Sequence, residues 1–158
     1  MIVAHADAQD ARTDAGRAKA ILAEFEGTWD DKSWGPSEGR VGKYMRPMDD
    51  VGWKSRMAAF QRIVQHDPSA VPDLVKALDS ESAPVRALAA QVLGYCGTAD
   101  AKPALPRVVE RDADAMVRLY AADSLGMLGG RDHDDLFRRL EPNEKNRDTK
   151  RHIGYLVG

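Results

Sequence analysis

The 158-residue sequence predicts an all-α fold: an α-solenoid of two-helix repeats, preceded by an N-terminal helix and a long aromatic loop. Three observations predict it. First, Val85-Arg86-Ala87-Leu88-Ala89-Ala90-Gln91-Val92-Leu93-Gly94 recurs 32 positions later as Val117-Arg118-Leu119-Tyr120-Ala121-Ala122-Asp123-Ser124-Leu125-Gly126. A further step of 32 reaches 149–158, a weaker copy that keeps the cation, Lys150, and the final glycine, Gly158. Second, Val85, Leu88, Ala89, Val92 and Leu93 form one continuous stripe at the helical period. Third, the residue three before each copy is Ser82, Asp114 or Asn146. Each has a short side-chain oxygen able to accept a first-turn N–H, the property of a helix N-cap. Asp50, one step earlier, is of the same kind. A fixed period this short marks an array of small helical units that cannot bury their apolar faces alone.

Composition agrees. Hydrophobic residues at 43% and charged residues at 30% suit a water-soluble globular chain with a modest core. The formal net charge of −2 gives no global pull toward nucleic acid or an anionic membrane. No apolar run approaches the ~20 residues that span a bilayer. The apolar run within Met1–Asp7 is too short for a signal peptide, and the compartment stays open. Cys96 is the single cysteine, so no internal disulfide can form.

Taken in order, residues 1–27 read as a short tail and a helix from about Ala8, with Ala15, Ala18, Ile21, Leu22 and Phe25 on one side and Gly27 as its stop. That side is small and alanine-rich, so the helix is expected to lie against another element. Residues 28–49 fit neither a 3.6 nor a 2 period. They spread Trp29, Trp34, Tyr44, Met45 and Met48 among glycines and prolines, and predict an ordered loop packing on the first repeat. The array occupies 50–158, about three and a half repeats. Its first helix places Trp53, Met57, Phe60 and Val64 on one face, and His66-Asp67-Pro68 ends it. A short helix over 71–78 has Pro72 in its first turn. Partner helices are expected over 101–111, with Leu105, Val108 and Val109 inward, and over 132–140, with Leu136 and Leu140 inward. Gly97 and Gly129, again 32 apart, suggest the same left-handed stop after each long helix. A last helix runs from Arg147.

Two helices per unit, a polar turn with aspartate and then Val-Arg-x-x-Ala-Ala-x-x-Leu-Gly resemble the HEAT-like repeat family, in the short variety first named from phycobilisome lyases. Val85, Arg86, Ala89, Ala90, Leu93 and Gly94 with Asp79, and their counterparts from Val117 to Gly126 with Asp112, carry the resemblance. It covers about 50–158, with Trp53-Lys54 replacing Val-Arg in the first unit and Ile153-Gly154 replacing Ala-Ala in the last. The resemblance implies an α-solenoid. It implies no single activity, since members are mostly binding scaffolds, a few are lyases and a few bind DNA.

The repeated cation needs a partner. Arg86, Arg118 and Lys150 sit in first turns, where the helix dipole disfavours positive charge by a few tenths of a kcal/mol. Asp79 and Asp112, at the preceding turns, are the expected partners in an inter-repeat ladder. Cys96 reads as a packed thiol, and His133-Asp134-Asp135 as an acidic helix start that complements the dipole. No catalytic residue, cofactor or metal site is expected.

Two stretches are candidates for partner binding. Lys76, Arg107 and Arg138 are 31 apart, with Arg111 and Arg139 nearby, and predict a basic stripe on the partner helices interrupted by Asp73, Glu110 and Asp135. The 28–49 loop either caps the first repeat or presents Trp34, Arg40, Lys43, Tyr44 and Arg46 for recognition. The expected function is a non-enzymatic interaction scaffold for another protein or an adjoining domain. Nucleic-acid binding through the stripe, and lyase-type chemistry using Cys96 or Asp/His groups, are the alternatives. The C-terminal edge bearing Ile153, Leu156 and Val157 is expected to be covered by a following segment or by a second copy of the chain.

Overall fold

The computed structural model describes residues 14–28, 51–65, 70–96 and 99–157. The described helices are α1 (Asp14–Thr28), α2 (Val51–Val64), α3 (Val71–Ala77), α4 (Ala83–Cys96), α5 (Leu105–Arg111), α6 (Ala115–Gly129), α7 (Asp134–Leu140) and α8 (Arg147–Val157). Short 3-10 turns at Lys102–Ala104, Gly130–His133 and Glu141–Asn143 lead into or out of the short helices. There is no strand among the described residues.

The long helices α2, α4, α6 and α8 pack in sequence, each against the next. The short helices lie across them: α3 on α4, α5 on α6 and α7 on α8. This is the expected solenoid. Its core follows the sequence stripe: Ala87, Leu88, Ala89, Ala90, Val92 and Leu93 are fully buried, as are Val117, Ala121, Ala122 and Leu125 one repeat on. Burying each of the larger side chains contributes roughly 1.5–3 kcal/mol. The alanines leave room for adjacent helices to approach.

The N-terminal helix closes the first repeat. Ala18, Ile21, Leu22 and Phe25 are buried on one side of α1, which packs against α2, α3 and α4. Gly27 falls inside its last turn rather than after it. On α2 the deepest residues are Ala59 and Ile63, while the expected face of Met57, Phe60 and Val64 is half-buried. Phe60 meets Tyr95 of α4 edge-on, ring centroids 5.0 Å apart. The expected loop with Trp34 and Tyr44, and the Asp50 cap, lie outside the described residues.

Two further expectations are corrected. On α7 the core residue is Phe137, fully buried, and Leu136 and Leu140 only flank it. Gly129 is not left-handed: its φ is −119°. Space favours glycine there, because a Cβ would lie 2.9 Å from both the His133 ring and the Lys102 chain and these side chains would have to shift. At the far end Ile153 is buried, Leu156 and Val157 are half-buried against the core, and Tyr155 is 73% exposed.

Candidate functional site

Among the described residues, the turns between repeats hold the densest set of side-chain hydrogen bonds. Asp114 caps α6 by accepting the N–H groups of Met116 and Val117, at 2.8 and 3.2 Å. Asn146 caps α8 in the same way at Asp148 and Thr149, both at 3.0 Å. Two residues before Asp114 and Asn146, and before Ser82 at the same place in the earlier turn, a further side chain accepts that residue's own N–H: Ser80 from Ser82, Asp112 from Asp114 and Glu144 from Asn146.

The first-turn arginines fold onto these turns. Arg86 donates Nη1 to the carbonyls of Ser80 and Glu81, and grips Asp112 through Nε and Nη2 at 2.8 and 3.0 Å. Arg118 repeats the arrangement on the carbonyls of Asp112 and Ala113 and on both oxygens of Glu144, at 2.7 and 2.6 Å. The two carboxylate side chains are only 7% and 6% exposed. The paired carboxylates raise both arginine pKa values, burial opposing. Burial pushes the Glu144 carboxyl up, but Arg118 and the N–H groups of Asn146 and Lys145 outweigh it and hold it below its ordinary value. The backbone carbonyls and the bidentate carboxylate supply the compensation that a cation at a helix start requires.

The expected ladder is therefore right for Arg86–Asp112 and corrected elsewhere. Arg118 takes the Glu144 carboxylate and only the carbonyl of Asp112. Asp79 binds Arg107 instead, at 2.6 Å. Each arginine reaches forward into the turn of the next repeat, so Asp79, which precedes Arg86, is on the wrong side. Lys150 only approaches the Pro142 carbonyl, at 3.4 Å.

The basic stripe is partly neutralised. Arg107 is held by Asp79, and Arg139 by Glu110 on α5. Arg138 lies among the acids of its own helix, Asp134 and Asp135, at 3.6 and 3.9 Å. Lys76 and Arg111 are exposed and have no ion-pair partner among the described residues. Lys102 is held by Asp132 at 2.5 Å, beside His133. Burial lowers the His133 pKa and Lys102 adds to the effect, with Asp132 opposing. Cys96 is buried at the end of α4. Among the described residues no three metal-ligating side chains converge.

Three grooves follow one another along the turns. The first, about 340 Å³, lies between α1 and α3 and is lined by Leu22, Ala23, Ala77 and Val85 together with Lys19, Glu26, Asp73 and Lys76. The second, about 280 Å³, is lined by Asp79, Arg86, Arg107, Arg111 and Asp112. The third, about 600 Å³, includes Glu110, Asp112, Arg118, Glu144 and Lys145. Ser80 lines the first and second, and Asp112 and Ala113 line the second and third, so the three form one trough. Arg107, Arg111 and Lys76 thus share the trough, whereas Arg138 and Arg139 line none of these three grooves. Sequence reasoning missed Glu144 and Lys145, although a step of 32 from Asp112 and Ala113 lands on both.

Residues 71–153, more than half of the chain, match the family model of HEAT repeats. No curated protein and no solved structure matches the chain. HEAT repeats generally mediate protein interactions as scaffolds.

Proposed function

The chain belongs to the HEAT-repeat family, and we propose that it is a non-enzymatic scaffold that docks an acidic segment of another protein or of an adjoining domain. The observation that carries this reading is the trough along the turns, where Lys76 and Arg111 stand exposed without an acid of their own among the described residues. Arg86 and Arg118 are committed to structural pairs, whereas Lys76 and Arg111 are exposed and available. Arg107 lines the trough but is already paired with Asp79, and Arg138 and Arg139 line none of its grooves. Trp34 and Tyr44 remain recognition candidates outside the described residues.

The same pairing weakens the nucleic-acid reading. Arg107 and Arg139 already meet carboxylates, which removes two cations a phosphate backbone would need. Capture on the immobilised full chain tests the proposal. Acidic proteins should be retained at low salt and released as salt rises, and Lys76→Glu with Arg111→Glu should abolish retention. Equal retention by that double variant would refute the assigned surface, and preferential retention of duplex DNA would refute the partner class.

A further inference from the structure

We infer that the joint between α6 and α7 is an acid-sensitive latch, closed while the His133 ring is neutral and released when the ring is protonated. The inference is independent of the scaffold reading.

The joint has three parts. The Gly130–His133 turn packs on the end of α6, and the Lys102–Asp132 pair ties it to the Lys102–Ala104 turn. The His133 ring sits over Gly129 beside the Lys102 stem. Its Cδ2 and Nε2 lie 2.9 and 3.1 Å from the point a Cβ on Gly129 would occupy, and the Lys102 Cε lies 2.9 Å from the same point. The Nε2 atom is buried and has no hydrogen-bond partner among the described residues.

Register sets this joint apart from the one before it. A step of 32 back from Lys102 and His133 lands on Ala70 and Ala101, both fully buried. The long helices α4 and α6 begin at Ala83 and Ala115, also 32 apart, so the positions correspond in the structure as well as in the sequence. Where the earlier joint buries two methyl groups, the later one holds a lysine and a titratable ring.

The chemistry sets the direction. A neutral ring with its proton on Nδ1 places a lone pair at the buried Nε2. Protonation places an N–H there with no acceptor and a positive charge beside Lys102, and both cost free energy. Asp132 attracts the imidazolium but is already held by Lys102 at 2.5 Å. Asp134, the next residue, is approached by Arg138 at 3.6 Å, and its buried Oδ1 takes no hydrogen bond from the ring. From α6 the ring meets the Gly129 backbone, which carries no charge. Burial, and then Lys102, hold the His133 pKa below its ordinary 6.5, with Asp132 opposing. For a base whose folded pKa is lowered, the contribution to stability is full above pH 6.5 and is lost as pH falls toward the folded value. That window begins above the ordinary carboxylate values of 3.8 and 4.5, so the latch responds before the arginine clamps. His152, the other described histidine, has Asp123 at 3.3 Å, so its protonation meets an acid where that of His133 meets a lysine. Leu140, at the far end of α7, lines the third groove, so the helix that the latch secures is a wall of the trough.

Three measurements on the full chain test the latch. An NMR titration of the histidine rings should place the His133 midpoint below 6.5, and Lys102→Met should move it upward. Urea unfolding from about pH 7.5 to about pH 5 should show the wild-type midpoint falling. The Lys102→Ala/His133→Ala variant, which copies the earlier joint, should fall less over the same span. Amide exchange corrected for its intrinsic pH dependence should rise over residues 131–137 of the wild type before it rises in α4, since release is local. A His133 midpoint at or above 6.5, a midpoint indifferent to Lys102→Met, or an equal pH response in the wild type and the double-alanine variant overturns the inference. So does exchange that rises evenly along the described helices, which would place the acid response elsewhere.

Discussion

At the junction of α4 and α6, Gly94 faces the backbone of Ser124; one repeat on, at the junction of α6 and α8, Gly126 faces the tip of Leu156. A Cβ on Gly94 would lie 2.5 Å from the Ser124 hydroxyl and 2.9 Å from its Cα. A Cβ on Gly126 would lie 2.9 Å from one Leu156 methyl and 3.9 Å from the next nearest atoms. Both junctions share the arginine clamp and a hydroxyl bonded across the helices: Ser124 Oγ to the Ala90 carbonyl at 2.6 Å, and Thr149 Oγ1 to the Ala115 carbonyl at 2.9 Å. The difference teaches that the repeated glycine does two jobs. In the first junction it sets how close two backbones come. In the second it makes room for a side chain that can move aside.

The clamps should test the shared part and give the largest effect. Arg86→Ala and Arg118→Ala each strand a carboxylate that is over nine-tenths buried, so each should cost about 3 kcal/mol by denaturant unfolding. A large inequality between them would show that the junctions differ in more than the glycine contact. Gly94→Ala should come next. Overpacking against backbone costs about 1–3 kcal/mol or more, against a gain of ~1 kcal/mol in helix propensity, so a net loss of about 2 kcal/mol and a melting temperature lower by roughly 4–8 °C are expected.

Acid pH should sharpen the clamp comparison. The Glu144 pKa is depressed in the fold from an ordinary value of 4.5. Its contribution is therefore full above pH 4.5 and is lost as pH falls through the folded value. Glu144→Gln should flatten that limb of the stability–pH curve, and an unchanged limb would place the acid sensitivity elsewhere. Gly126→Ala should shift stability by no more than about 0.5 kcal/mol, since Leu156 can rotate and alanine favours the helix. If it costs as much as Gly94→Ala, the distinction between the junctions fails. Arg107→Ala should have the least effect, within about 0.5 kcal/mol, because its pair with Asp79 is more than half exposed on both sides.

The periodicity made the layers, the caps Asp114 and Asn146, the buried alanines and the Arg86–Asp112 pair legible before any coordinates. A period gives equivalence between positions; it does not give the direction in which a long side chain leans. That is why Asp79 looked as good a partner as Asp112, and why Glu144 was overlooked for Arg118. Spacing of 31 likewise placed Lys76, Arg107 and Arg138 on equivalent helices but could not reveal that Asp79 and Glu110 already neutralise Arg107 and Arg139. Gly129 misled for a related reason. Glycine serves both backbone freedom and lack of bulk, and only the neighbouring His133 and Lys102 distinguish the two. The trough itself was invisible, since it exists only where three turns come side by side.

The forward reach of the arginines makes the unit interchangeable. If residues 112–143 were duplicated in tandem, Arg86 would meet the Asp112 of the first copy. The first copy's Arg118 would meet the Asp112 of the second, and the second copy's Arg118 would meet Glu144, in the same relation as now. Each Gly126 would face a Ser124 or Leu156, both already seen over a glycine of this register. Neither buried carboxylate of the clamps would be orphaned at the seam, although the second copy's Arg139 would meet Pro142 where the first meets Glu110. The clamp is thus a coupling standard, and array length is a quantity this sequence can change by whole units without breaking it.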